Sequence, residues 1–513
     1  MKCTAIYLIR MPVGILIALL MSLSAAFGNN ITISSTSYAT ATNKITFTIT
    51  WDNSWKVSSG AANNDAVWIF IKRQPCGANG IWSHALLSTT AADHAVTGTP
   101  LLLMVEAVTD GMGVFLRRSN VGIGSVTSHT VTLKLSGTYN PSLTESSADN
   151  FKVYGVEMVY VSTAAFYIGD GRAGNTSSFS AGNTVNPLQI TSAIQSSGLG
   201  NYANYTTSPQ YACGGSLPAS FPLGYNSFYC MKYEISQGQY VEFLNTLTYD
   251  QQAAKLIFTA GRYPNVTNQF LDPGNGNYRN TTRTLTAGTS NNIPAVFTST
   301  YPFLPQSNLN WQDLTCYLDW AGLRPMSEFE FEKVCRGDQP VVANEYPWGN
   351  KSITDVGSWA SPNTTSETAT NIGEGLCNYS WGNNGSIGAF RCGFPATQFT
   401  NRSTAGAAYY GAMEMGGNLY EQCVGGGSGY NYSTFTNANG DGVLTIAGKA
   451  NVVGWPPDGG LNSGTILRGG SLLSNSQGVA EIQTSDRSKQ GGSTFNNSSN
   501  RLYYVGGRGV RSF

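Results

Sequence analysis

The chain has 513 residues, with 29 Lys and Arg against 29 Asp and Glu, so its formal net charge is zero. That balance removes the electrostatic case for nucleic-acid binding, and the length calls for two or three cores rather than one. Charged residues make up 11% of the chain and aromatics 12%. An average soluble domain is about 25% charged and a disordered chain is poor in aromatics, so this one folds behind a polar, weakly charged surface.

Residues 1–28, MKCTAIYLIRMPVGILIALLMSLSAAFG, set Lys2 and Arg10 before an apolar run from Val13 to Leu23 that ends in small residues. This is the pattern of a secretory signal peptide. The run is shorter than the roughly 18 residues that a membrane anchor needs. Cys3 precedes it and so is not a lipid-attachment site. An exported mature chain with no membrane span is expected. Loss of the signal leaves Cys76, Cys213, Cys230, Cys316, Cys335, Cys377, Cys392 and Cys423. An even count in an exported chain points to disulfides, with on the order of a hundred pairings open. Cys76 stands apart and is the candidate for a long-range or intermolecular bridge. Export also gives meaning to the Asn-X-Ser/Thr sequons at Asn30, Asn175, Asn204, Asn265, Asn280, Asn350, Asn363, Asn378, Asn384, Asn401, Asn431, Asn496 and Asn497. Neutral sugars there would solubilise a surface with few charges.

Residues 29–155 read as an all-β domain. ITISSTSY, KITFTITW, AVWIFIKR, TVTLKL and FKVYGVEM are β-branched and aromatic runs between Gly, Asn and Ser, which predicts a β-sandwich. His84, His94 and His129 all fall here. No strand-turn-helix nucleophile signal accompanies them, so structural or surface histidines are expected.

From residue 156 the texture changes. VEMVYVSTAAFYIGDG predicts a strand pair, and EISQGQYVEFLNTLT a helix capped by Ser236, with Tyr240, Phe243, Leu244 and Leu247 on one face. RPMSEFEFEKVCRG predicts a second helix, with Ser327 as cap and Glu330 in the capping-box position. Beyond it come long loops rich in Gly, Asn and Trp, and no repeat of solenoid period. The fold class is α+β.

FYCMKYEISQGQYVEFLN, LRPMSEFEFEKVCRG, YPWGN, GAMEMGGNLYEQC, ILRGGS and GGRGVR occur in this order. With these motifs residues 156–513 resemble the formylglycine-generating-enzyme, or sulfatase-modifying-factor, superfamily, which implies a C-type-lectin-like fold. The resemblance also implies a copper-binding cysteine pair at the seventh and twelfth positions from Arg468. Those positions hold Ser474 and Val479. A hydroxyl cannot replace a soft thiolate toward Cu(I), and valine offers no ligand. The domain also lacks the histidines that a related branch uses for iron. Neither copper nor iron is expected, and no catalysis.

In the same family the Gly-Asn-X-Trp-Glu motif supplies ligands to a structural calcium ion. It appears as GGNLYEQ, which makes Asn418 and Glu421 candidate ligands. NANGDG spaces Asn437, Asn439 and Asp441 as a calcium loop would, without the closing glutamate. Glu328 and Glu332 are expected to tie loop backbone amides. GGGSG (425–429) does not lead from a strand into a helix, so no phosphate loop is expected. Two functions follow, ahead of a third, an oxidoreductase of the formylglycine-generating type that keeps the fold with a relocated site. One is a non-catalytic subunit that self-assembles with identical copies, the ITISSTSY strand pairing with a neighbour's sheet edge. The other is a secreted carbohydrate- or protein-binding module, with SKQGGSTFNNSSNRLYYVGG (488–507) as the contact stretch.

Overall fold

A computed structural model describes residues 30–75, 82–137, 150–172, 178–181, 184–193, 199–200, 220–256, 264–271, 278–380, 388–397, 399–425, 434–457, 464–477, 479–489 and 501–513. The signal-peptide reading falls on residues outside these. Among the described residues no helix is long and apolar enough to cross a membrane.

An eight-stranded antiparallel sheet runs through both halves of the chain. Its order is Arg324–Pro325, Gly509–Ser512, Phe228–Met231, Asn150–Val161, Asp65–Gln74, Val114–Arg118 and Leu103–Ala107, with Ser83–Ala85 added beside Asp65–Gln74. The expected break near residue 155 lies inside one strand. Asn150–Val161 pairs with Asp65–Gln74 over ten residues, from Asp65↔Val159 to Gln74↔Asn150. Its far end pairs with Phe228–Met231. Residues 156–161 therefore continue a strand of the first half instead of opening a new pair; the short pair that follows is Phe166–Ile168 with Leu188–Ile190.

The central strand, DAVWIFIKRQ, is buried along its first eight residues because both faces are covered. Val67, Ile69 and Ile71 meet a second sheet of order Thr32–Ala39, Lys44–Lys56, Gly122–Lys134 and Ala95–Thr97, where Ile45, Phe47, Ile49 and Trp51 point inward. Ala66, Trp68 and Phe70 face the other way, into a core built with Trp311, Leu314, Leu318 and Trp320 of the helix Trp311–Trp320. The period-two alternation of a strand thus sorts one sequence into two cores. Trp68 also donates its indole N–H to the Ala321 carbonyl at 2.8 Å, and Phe115 stacks on Tyr229 with ring centroids 3.8 Å apart.

Both predicted helices form, as Gln237–Leu244 and Glu328–Arg336. Each closes a reciprocal capping box, Ser236 with Gln239 and Ser327 with Glu330. Three more among the described residues were not expected: Tyr249–Leu256, the short Ser474–Gln477, and Trp311–Trp320, which is boxed by Asn310 and Asp313.

Trp68→Ala should remove the largest side chain that crosses between the halves and cost about 3–5 kcal/mol. Urea unfolding of the full chain, followed by fluorescence and by circular dichroism, should shift as one transition. Separate transitions for the two halves would contradict a shared core.

Candidate functional site

The stretch that follows Arg468 is set by the strand Thr465–Arg468, which pairs antiparallel with Glu421–Val424 and places Arg468 opposite Glu421. The chain then turns sharply through Gly469 and Gly470, both at positive φ (83° and 68°). A Cβ on Gly469 would lie 2.6 Å from the Met415 carbonyl oxygen, so only glycine fits there. The turn delivers Ser471 and the short helix Ser474–Gln477, then a 3₁₀ turn, Val479–Ile482.

Arg468 is fully buried and anchors this loop. Its guanidinium donates to Glu328 at 2.9 Å, to Glu332 at 2.8 Å and to the Thr484 carbonyl at 2.7 Å. Arg487 closes the other end on both oxygens of Glu328, at 2.6 and 2.7 Å, with its guanidinium 4.0 Å from the centre of the Phe179 ring. Glu332 also accepts from the Gly169 amide at 2.8 Å and from Arg336 at 3.3 Å. The two glutamates therefore hold structure, as expected, through arginines and, at Gly169, through a backbone amide. Breaking such a buried pair on one side costs about 3–5 kcal/mol, so this frame fixes the loop firmly.

The loop carries a serine in a closed hydrogen-bond set. Ser474 Oγ is buried, accepts from the Ser471 amide at 2.9 Å and donates to Glu481 Oε2 at 3.4 Å. Glu481 also takes the Tyr420 hydroxyl and the Lys489 ammonium, the latter at 2.8 Å. Burial first, then the adjacent Glu481 carboxylate, pushes the Tyr420 phenol far up, so it remains a donor. Among the described residues the carboxylate that faces Ser474 is Glu481, and no thiol is in the set. The sequence reading missed Glu481 and Lys489; the acid two residues beyond Val479 was the available signal.

The remaining candidates separate. Asn418 sits at φ 63° and is a hub. It donates to Glu234 at 2.7 Å, and its Oδ1 accepts from the Phe390 amide at 2.9 Å and from Asn378 Nδ2 at 3.3 Å. Glu421 takes Arg508 Nε on Oε1 at 2.6 Å, while its Oε2 is buried without a hydrogen-bond donor. Glu421 therefore keeps one carboxylate oxygen without a donor, while the Asn418 side-chain oxygen is engaged by Phe390 and Asn378. Asn439 is engaged on both sides by the Ser512 backbone. Asp441 Oδ1 caps the Val443 amide, and Asn437 lines a small cleft beside Phe513. Among the described residues no three His, Cys, Asp or Glu side chains could jointly hold a metal ion.

The described cysteines depart from the disulfide expectation. Cys230, Cys316, Cys335, Cys377, Cys392 and Cys423 are buried free thiols; Cys76 and Cys213 lie outside the described residues. Burial pushes the Cys230 thiol up to about 12 and raises those of Cys335 and Cys423 well above the ordinary thiol value, the setting of inert structural cysteines. Asn280 and Asn378 are buried, and each Nδ2 is spent inside the fold, Asn280 on the Ser307 carbonyl and Asn378 on Asn418. Neither can carry a sugar. Asn30, Asn265, Asn363 and Asn401 are exposed and Asn350 is half-buried. Asn175, Asn204, Asn384, Asn431, Asn496 and Asn497 lie outside the described residues, as do residues 490–500 of the polar-aromatic stretch and 426–429 of the glycine run. The histidines are structural: His129 Nε2 accepts from the Leu102 amide while Nδ1 meets the Thr127 carbonyl, and His84 is held between Lys72 and the Met112 carbonyl.

A mixed domain with a conformationally fixed loop after a buried arginine, crossed by two glutamates of a capped helix, defines the class of protein. Residues 203–512 match the sulfatase-modifying factor enzyme 1-like domain, and the chain belongs to that family. The formylglycine-generating enzymes of Mus musculus and Bos taurus are each 27% identical to it, over 179 and 163 residues. The matches cover 32% and 28% of this chain and 44% and 39% of theirs, so they span less than half the length of these relatives. A solved chain from work on pH-induced modulation of Streptococcus parasanguinis adhesion by Fap1 fimbriae covers 33% of this chain and 76% of its own at 20% identity. Its TM-score is 0.15, too low to bear on the fold.

Beside Asn418, Glu414 accepts from the Gly393 amide on one oxygen at 2.9 Å and holds the other buried without a donor. Burial raises its carboxyl to about 7. A carboxyl raised in the folded state adds stability below its unfolded value of about 4.3, and that contribution is lost as pH rises through 7. Glu414→Gln stays neutral, so its melting temperature should match the parent below pH 4 and exceed it increasingly up to pH 8. A constant difference across that range would refute the assignment.

Proposed function

We propose that this protein is an exported, non-catalytic, glycosylated subunit of an extracellular assembly, a filament or surface layer, built on a formylglycine-generating scaffold. The observation that carries this reading is the closed state of the loop after Arg468. Ser474 stands where the resemblance puts the first reactive thiol, buried and held between the Ser471 amide and Glu481. A hydroxyl so placed neither ligates Cu(I) nor cycles electrons, and Val479 restores nothing.

Self-assembly is supported by the strand Thr32–Ala39, which pairs with Lys44–Lys56 on one side and ends its sheet on the other. Its residues, TISSTSYA, include no charge and are largely exposed. Uncovered edges of this kind offer backbone N–H and C=O groups to another chain. Residues 29–155 then act as a β-sandwich that presents this edge.

Natively purified protein viewed by negative-stain microscopy should show polymers or ordered layers, and copper-loaded protein should not oxidise a cysteine-containing substrate peptide. Monomers at high concentration, or turnover of that peptide, would sink the proposal. Within this reading the Arg508 guanidinium neutralises Glu421 in place of calcium. EDTA should therefore leave the melting temperature unchanged, and a drop reversed by added calcium would restore the cation.

A further inference from the structure

Six of the thirteen sequons have an aromatic residue two positions before the asparagine: Tyr202, Tyr263, Tyr278, Trp348, Phe399 and Phe495. With aromatics at 12% of the chain, thirteen positions would hold one or two by chance, so the pairing is a feature of these sites. In two of the described cases the aromatic is used inside the fold. Tyr278 stacks on Tyr503 with centroids 3.9 Å apart, and Trp348 is buried.

Phe399 differs. It is 87% exposed, and Asn401, two residues on, is exposed as well. The turn between them is fixed. Asn401 Oδ1 accepts from the Thr404 amide at 3.1 Å, and the Asn401 amide donates to Thr404 Oγ1 at 2.9 Å. Its Nδ2 has no partner among the described residues. By contrast, Nδ2 of Asn30 donates to Asp52 and that of Asn350 to Ser403.

Asn401 also lines a groove of about 730 Å³ between the two halves of the chain, with Trp55 and Ile123 on one side and Tyr233 and Tyr409 on the other. Ile123 is 79% exposed. Polar groups at the groove are amides, hydroxyls and two cations, Lys232 and Arg402, with no carboxylate on its surface. Lys232 is paired from beneath by Glu157 at 3.0 Å, so the floor carries little net charge. Sugars suit such a lining: their hydroxyls match amides, and their axial C–H groups carry partial positive charge toward the negative face of an aromatic ring.

We propose that Asn401 carries an N-linked glycan whose first sugar covers Phe399 and whose outer sugars occupy this groove. The proposal rests on the exported, glycosylated reading above. Transfer forms a bond between Asn401 Nδ2 and the anomeric carbon of the sugar. It breaks the bond from that carbon to a lipid-linked pyrophosphate donor of the exporting cell, and one Nδ2 proton is released. The glycan then ties the Trp55 side of the groove to the 396–413 loops, covering apolar surface that the polypeptide leaves open.

Glycopeptide mass spectrometry of natively purified protein should find the sugar on Asn401. Ser403→Ala, which removes the acceptor sequon, should lower the melting temperature by about 1–2 °C, and Ser403→Thr, which keeps the sequon, should not. Phe399→Ala should lower it in the glycosylated chain and have no effect in the Ser403→Ala background. An unmodified Asn401 beside glycans at other sequons overturns this inference alone, whereas no glycan at any sequon sinks the glycosylated reading too. Additive effects of the two substitutions would show that the sugar does not lie on Phe399. A soluble oligosaccharide that binds the glycosylated chain as tightly as the Ser403→Ala chain would show an open groove, a binding site for external sugar, and overturn the proposal.

Discussion

The ladder between Asp65–Gln74 and Asn150–Val161 is the constraint on which the rest depends. It is the longest of the pairings that reach across residue 155, and its two faces belong to different cores. Val67, Ile69 and Ile71 close the N-terminal sheet pair, while Trp68 and Phe70 are enclosed by the aromatic helix Trp311–Trp320. A slip of one residue would exchange these sets and present tryptophan to the β-branched core. Such a register cannot drift, so the position of one half fixes the other. The loop after Arg468 is reached from the same sheet: Phe228–Met231 and Gly509–Ser512 extend it, and Arg508, just before the latter, neutralises Glu421 beside the loop.

A second regularity concerns where the few charges go. Arg324, Arg336, Arg468, Arg508 and Arg511 are among the largest fully buried side chains. Four of these meet a carboxylate that is itself buried, and Arg511 pairs with the part-exposed Asp110. Desolvating an ion is expensive unless partners and geometry are right, and planar guanidinium forks supply that geometry. The interior network uses much of the charge that a surface would otherwise show. Exposed amides and hydroxyls then carry the burden of solubility.

Much of the fold was legible. Capping boxes at Ser236 and Ser327 announced two helices, because Gln239 and Glu330 stand three residues after a hydroxyl. The box at Asn310 used Asp313 in place of the usual Glu or Gln and ran into the aromatic-rich WQDLTCYLDW, so that helix was overlooked. The cysteine count suggested bridges, yet the six described thiols fill apolar space instead. Sequence counts cysteines but does not say which cluster encloses each. Sequons were equally ambiguous. Asn280 and Asn378 carry the same Asn-X-Ser/Thr pattern as Asn401, and only burial separates an internal hydrogen-bond donor from an exposed side chain.

What the sequence determined by itself is the family frame and the side chains, Ser474 and Val479, at the positions where the resemblance expects thiols. Six ordered motifs and the residues Ser474 and Val479 are local facts of the chain, and hydroxyl and alkyl groups cannot do thiolate chemistry in any fold. Only the tertiary structure decided that Ser474 is sealed against Glu481, that Arg508 pairs with Glu421, and that the two halves share one sheet. Each of these depends on side chains brought together from far apart in sequence. Their pairing is set by which faces of strands and helices become buried, and no local pattern encodes that.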